Sequence, residues 1–283
     1  MTGLDRRLNA FRPDLADERL RGQVESSRFV AGRQARILSP VVDLRAAPRP
    51  DAGLLAQLLL GDDVVVFEEA EGWAWVQALR DGYVGYVGAA MLGEPAGTLT
   101  HVVAAPRTFV YPGPNLKLPR AAVLSIGCRV TVVDVAELHG TRYALLQSGE
   151  AMIAGHLVDI DAAVADYVAV AEDLVRTPYL WGGNSGFGID CSGLLQLSMR
   201  MAGRDVLRDS DMQAETVGKP LDPSAGLQRG DLMFWKGHVA IVADPATLLH
   251  ASGHVMQVVS EPLERAVERI AKVYGVPTAS RRP

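Results

Sequence analysis

One cysteine and two histidines in the C-terminal half of this chain have the types and spacing of a nucleophile and its base. Cys191 follows a glycine-rich approach, Tyr179-Leu180-Trp181-Gly182-Gly183-Asn184-Ser185-Gly186-Phe187-Gly188-Ile189-Asp190. It opens a stretch of helical apolar spacing over 191–202 that Gly203 closes. A helix N-terminus carries about half a positive charge and unpaired amide donors, which favour a thiolate. The same amides can hold a developing oxyanion, and the glycines would let a substrate backbone come close. No Lys follows the glycines and an acid precedes the helix, so the segment is not a phosphate-binding loop.

A cysteine nucleophile needs a base, and the candidates lie in one hairpin. His238 begins the apolar run His238-Val239-Ala240-Ile241-Val242, Asp244-Pro245 marks a turn, and Leu248-Leu249-His250 returns. Positions 238 and 250 are nearly symmetric about that turn. The spacing predicts that they face each other on adjacent antiparallel strands, where directly opposed Cα atoms lie about 4.5–5.5 Å apart. One imidazole can then take the thiol proton while the other orients it. The plainer readings are a buried structural cysteine and satisfied core histidines. A zinc site built from Cys191, His238, His250 and His254 is a sharper rival. The close C-x-x-C type ligand pairs of structural zinc are absent, so no metal and no other cofactor is expected. His254 reads as a bystander; Cys128, His101, His139 and His156 stand without partners and are assigned structural roles.

The elements that must position these residues follow from local pattern. A helix over 162–176 precedes the cysteine helix, and strands over 230–235, 238–243 and 247–251 follow it, giving an α+β domain over 161–283. Before it the texture is short β-rich runs between turns: Val64-Val65-Val66-Phe67, Trp73-Ala74-Trp75-Val76 and Tyr83-Val84-Gly85-Tyr86-Val87, with turns at Glu71-Gly72 and Asp81-Gly82. Leu60-Gly61-Asp62-Asp63-Val64-Val65-Val66 is echoed by Ile126-Gly127-Cys128-Arg129-Val130-Thr131-Val132, and Gly85-Tyr86-Val87 by Gly155-His156-Leu157. Such internal similarity predicts a duplicated unit, two small all-β barrels over 37–96 and 97–160. Residues 1–36 read as a short helical lead-in interrupted by Pro13.

Composition narrows the partners. The 283 residues are 48% hydrophobic and 22% charged, enough for a sizeable core, with net charge −5 and a pI near 5.7. That balance offers no basic face for nucleic acid or an anionic membrane surface. The early arginines (Arg6, Arg7, Arg12, Arg19, Arg21) are interleaved with Asp5, Asp14, Asp17 and Glu18, as on a solvated surface. Two cysteines form no disulfide framework, and no export signal or membrane-length apolar run is present. A cytoplasmic setting is the expectation.

Taken together, Tyr179-x-Trp181-Gly182-Gly183, Asp190-Cys191-Ser192-Gly193-Leu194, Gly230-Asp231-Leu232-x-Phe234 and the His238/His250 pair resemble the NlpC-type papain-like cysteine peptidases over about 165–275. The two barrels resemble bacterial SH3-like domains. This architecture looks like that of the gamma-D-glutamyl-L-diamino-acid endopeptidases. The resemblance implies a papain-like catalytic domain with catalytic roles for Cys191, His238 and His250. Its implied substrate is a murein-derived tri- or tetrapeptide, cut to release L-Ala-gamma-D-Glu. It implies that Asp190 and Ser192 bind the dipeptide end, Asp190 by pairing with the α-amine. Ser210, within Arg208-x-Ser210-x-x-Gln213, is to line the site, Tyr179 and Trp181 to border the cleft, and Tyr83 to close the pocket. Related enzymes carry an amine-recognising glutamate in a helix before the position of Gln57, where this chain has Gly53. The competing functional readings are a catalytically inactive wall-peptide binder and a cysteine amidase or acyltransferase using another acyl donor.

Overall fold

The computed structural model describes residues 3–222 and 224–283. The chain divides into two compact units, Met1–Ile160 and Asp161–Pro283. Among the described residues no helix is long and apolar enough to cross a membrane.

The first unit is built from strands. One sheet runs Leu54–Leu59, Val41–Arg45, Val84–Gly88, Trp73–Ala78, Asp63–Ala70, Arg33–Ile37 and Leu92–Gly93 in that spatial order. A second sheet runs Ala122–Ser125, Arg107–Tyr111, Ala151–Ile153, Thr141–Leu146 and Val132–Leu138, the same order as the first five strands of the first. The echo extends to backbone detail. Gly61 and Gly127 both sit at φ 86°, and the hairpin turns Glu71-Gly72 and His139-Gly140 have φ of 52°/80° and 52°/78°. Two successive positive-φ residues make the turn whose twist matches the flanking strands, and glycine takes the second position without strain. Cys128 is buried here and donates its thiol to the Pro40 carbonyl at 3.3 Å. Burial pushes that thiol up to about 12.

The helical lead-in expected over 1–36 is corrected. Met1 and Thr2 lie outside the described residues. Residues 3–36 hold no α-helix, only the short 3-10 turn Glu18–Leu20 and the strands Ala16–Asp17, Phe29–Val30 and Arg33–Ile37. Arg7 pairs with Asp5, Arg12 with Asp14 and Arg19 with Asp17. Each pair is two residues apart, a spacing that a helix places on different faces. Ala10 and Leu15 are instead buried against Phe67, Trp75 and Val84 of the first barrel.

The second unit sets helices against an antiparallel sheet. Its strands lie in the order Lys219–Pro220, Ala279–Arg282, Leu232–Trp235, His238–Asp244, Thr247–Ser252 and Gln257–Pro262. Among the described residues four α-helices accompany them: α1 (Tyr167–Asp173), α2 (Cys191–Met201), α3 (Ser210–Thr216) and α4 (Leu263–Tyr274). α1 is shorter than the periodicity over 162–176 suggests. Asp166 caps it through the Val168 N–H, while the Val164 N–H bonds to the Met201 carbonyl and holds that residue out of the helix. Ten of the eleven residues of α2 are buried, and it packs on the strand His238–Asp244. On α4, Ala266 and Ile270 pack with Trp235, Ala240, Val242 and Leu248 of the sheet.

Candidate active site

The start of α2 is organised by Asp190. Its carboxylate accepts the Gly193 N–H at 2.7 Å, which caps the helix, and the Gly182 N–H at 2.8 Å, which ties down the approach loop. Arg208, 1% exposed, donates to both carboxylate oxygens at 3.0 and 2.8 Å and to Ser192 Oγ at 2.7 Å. Ser192 Oγ in turn donates to Asp190 Oδ1 at 3.2 Å. From α3, Gln213 Nε2 donates to the Ser192 carbonyl at 3.0 Å. A carboxylate has about four acceptor positions. With two amides, the Ser192 hydroxyl and the Arg208 fork on it, Asp190 is held firmly at the helix start. Asp190 and Ser192, expected at the dipeptide end, thus lie together in a buried polar cluster that fixes the helix start. The glycines serve the same packing: a Cβ on Gly193 would collide with the Gly183 carbonyl oxygen.

Cys191, the first residue of α2, is 8% exposed. Burial pushes its thiol up to about 12, and the neighbouring Asp190 charge adds to that; the Val239 amide, Arg208 and the Ser192 amide favour the thiolate but are outweighed. The expectation that a helix start ionises this sulfur is thus reversed. The capping carboxylate offsets the positive end of α2, and desolvation decides the sign. The Val239 amide on the sulfur places Cys191 against the residue that follows His238.

His238 begins its strand directly after the Lys236-Gly237 turn, where it pairs with Trp235. Its Nε2 lies 2.8 Å from His250 Nδ1. The two are not directly opposed. Ile241 pairs with Leu249 and Val242 with Leu248, but Asp244 pairs with Thr247, so an irregularity next to the turn shifts the register. Continued from Ile241/Leu249, that register sets Ala240 across from His250. His238 is a diagonal neighbour, at a typical Cα separation of about 7–8 Å that ring side chains can span. The far nitrogen of His250, Nε2, is 2.7 Å from Glu261 Oε1 on the next strand, and Arg269 of α4 pairs with the same oxygen. Both ring nitrogens of His250 are therefore engaged in hydrogen bonds. Burial, followed by His250 and Arg269, depresses His238 to about 3, with Glu261 opposing. Burial thus favours the neutral form of both the thiol and the imidazole.

Comparison with known proteins places this geometry. Residues 176–272 match the NlpC/P60 family, and residues 44–92 match the bacterial dipeptidyl-peptidase SH3 domain. The second unit is an NlpC/P60 cysteine-peptidase domain. Dipeptidyl-peptidase 6 of Lysinibacillus sphaericus is 29% identical over 240 residues, covering 77% of this chain and 87% of that protein. The gamma-D-glutamyl-L-lysine dipeptidyl-peptidase of Bacillus subtilis is 28% identical over 228 residues, covering 71% and 73%. A solved NlpC/P60 family protein from Bacillus cereus shares the fold, with a TM-score of 0.72 at 24% identity over 88% of this chain and 99% of that one.

Within the NlpC/P60 domain, Tyr179 is half-buried; burial raises its phenol, with Cys191 and Asp190 as the next contributors, so it lies in their field. Trp181 is 70% exposed beside it in sequence. Ser210 is the first residue of α3, with Asp209 in the capping position. Tyr83 belongs to the first unit, where it is buried and its N–H bonds to Asp81 Oδ1 at 3.1 Å. Among the described residues no α-helix precedes Gln57: Gly53 leads straight into the strand Leu54–Leu59, and Gln57 is buried on it, donating to Asp43. Arg208, Gln213 and Glu261 contact Ser192 or His250 and were not among the residues that pattern singles out. The first two flank Ser210 in Arg208-x-Ser210-x-x-Gln213. Glu261 was findable only through strand register: Val259 pairs with His250, and a residue two further along a strand returns to the same face.

Proposed function

We propose that Cys191, His238 and His250 form the catalytic centre, and that the substrate is a murein stem peptide with a free N-terminal L-Ala. The bond cut is that between gamma-D-Glu and the L-diamino acid, releasing L-Ala-gamma-D-Glu. The observation that carries the catalytic assignment is the hydrogen-bonded His238–His250 pair on the strand against which α2, headed by Cys191, packs. The substrate class is supported by the relatives named for gamma-D-glutamyl-L-lysine and by the SH3 domain match.

In the proposed reaction His238 Nδ1, the ring nitrogen not bonded to His250, takes the thiol proton as the sulfur attacks the gamma-glutamyl carbonyl carbon. Amides at the start of α2 receive the oxyanion; the Gly193 amide is already committed to Asp190. His238 returns the proton to the diamino acid's amine as the C–N bond breaks, leaving a thioester. Water, deprotonated by His238, attacks the thioester and frees the dipeptide. General acid–base steps of this kind typically contribute about 10²–10⁴-fold. Because burial favours the neutral form of both the thiol and the imidazole, proton transfer is concerted with attack rather than completed beforehand. We also propose that the protein works on wall peptides inside the cytoplasm, where its two free, buried cysteines suit a reducing medium.

The test is hydrolysis of L-Ala-gamma-D-Glu-L-Lys and of its N-acetylated form, followed by mass spectrometry of the products. Cleavage of the free peptide alone, at the gamma-D-Glu–L-Lys bond, is expected. Equal cleavage of both removes amine recognition, and cleavage of neither removes the substrate.

A further inference from the structure

We propose that Glu261, held by Arg269, is a positioning residue that sets which nitrogen of His250, and through it of His238, carries the proton. The proposal rests on the catalytic reading above and extends it by two residues.

An ionised carboxylate can only accept hydrogen bonds. With Glu261 Oε1 2.7 Å from His250 Nε2, that nitrogen must carry the hydrogen. In a neutral imidazole the other nitrogen is then a lone pair, so His250 Nδ1 accepts. Its partner at 2.8 Å, His238 Nε2, must therefore donate. The same rule applied to His238 leaves Nδ1 as its lone pair, the form a general base requires. A single charge three groups from the sulfur thus orients every proton along the row.

Without that acceptor the opposite row is equally well bonded. His250 Nδ1–H would donate to His238 Nε2, and His238 would carry its hydrogen on Nδ1, where it could not take one from Cys191. Nothing else in the row breaks the tie, because two facing imidazoles can share a proton in either sense.

Three features keep the carboxylate in the required state. His250 first, with Arg269 contributing, holds Glu261 below the usual carboxylate range, so it stays ionised. Arg269 pairs with the same Oε1 that faces His250, which restricts rotation of the carboxylate. His250 is 1% exposed, so water does not compete for its nitrogens. Glu261 is fixed by its strand, where it pairs with Leu248, and Arg269 by α4.

Ring nitrogen NMR of the full chain labelled with ¹⁵N-histidine reads the row directly and without substrate. The His238 and His250 signals are assigned from the spectra of His238→Asn and His250→Asn. In the wild type both rings are expected with hydrogen on Nε2 and a bare Nδ1. In Glu261→Ala a second tautomer should appear at both rings, whereas Glu261→Gln, whose amide oxygen can accept the same bond, should keep the wild-type pattern. In hydrolysis, Glu261→Ala should lower kcat at least about tenfold with KM within about twofold, and Glu261→Gln should recover part of that loss. A wild-type His250 with hydrogen on Nδ1, or tautomers unchanged in Glu261→Ala, overturns the proposal, and the wild-type spectrum alone suffices if the alanine variant does not fold. A tautomer shift that leaves kcat intact also overturns it. A protein that shows the shift and leaves the tripeptide intact counts against the proposed substrate and supports this role.

Discussion

At the scale of single residues, Cys191 and His238 show burial overriding the local field. A helix start should help a thiol ionise, yet the carboxylate that caps α2 is itself anionic, and the sulfur is almost wholly desolvated. The thiol is raised to about 12 and the imidazole lowered to about 3, so their values diverge in the sense opposite to a pre-formed ion pair. This has a measurable sign. A raised thiol value means less thiolate at neutral pH, so alkylation of Cys191 by iodoacetamide in the absence of substrate should be slow at pH 7. It should climb about tenfold per pH unit through at least pH 10. Peptide mapping separates it from Cys128. A rate that is already on a plateau between pH 5 and 8 would show a standing thiolate–imidazolium pair and contradict this description.

At the scale of elements, the site depends on how closely the approach loop meets α2. Gly183 and Gly193 bring two backbone segments into contact, and Asp190, Ser192 and Arg208 close a buried charge cluster around them. A Cβ at Gly193 would press on the Gly183 carbonyl, which cannot yield without breaking the Asp190 N–H···O bond to that oxygen at 3.2 Å. Gly193→Ala is therefore expected to destabilise the second unit by about 1–3 kcal/mol, as overpacking commonly does. Urea unfolding measures it, and an unchanged midpoint would show that the loop is free to move. The sheet contributes differently. The hairpin from His238 to His250 brings the two rings together diagonally, in the register set by its turn and the irregularity beside Asp244. Tyr274 at the end of α4 stacks on the His238 ring, with centroids 5.8 Å apart and planes at 17°.

At the scale of the whole molecule, two barrels of common strand order precede an NlpC/P60 domain. What pattern reading could reach here follows a physical line. The duplication was legible because Gly61 and Gly127, and the turns at 71–72 and 139–140, need particular backbone angles that few residues supply. Cys191 at a helix start was legible because Asp190 caps and Gly203 ends that helix. The lead-in was misread because i,i+2 charge pairs and a few apolar residues docking on a barrel imitate a weak amphipathic pattern. The Arg208–Asp190 pair was not legible because its partners lie 18 residues apart, and no local pattern announces a buried ion pair. The hairpin register was two residues out because the turn falls at Pro245-Ala246 rather than Asp244-Pro245, an offset that the one-residue irregularity beside it only partly removes.

The account stands or falls on thiol chemistry assisted by one imidazole. The most direct measurement is turnover of L-Ala-gamma-D-Glu-L-Lys by the wild type, Cys191→Ala and His238→Ala, with circular dichroism to confirm that each variant is folded. Loss of turnover in both folded variants is the predicted result, and near-normal hydrolysis by either one would contradict it.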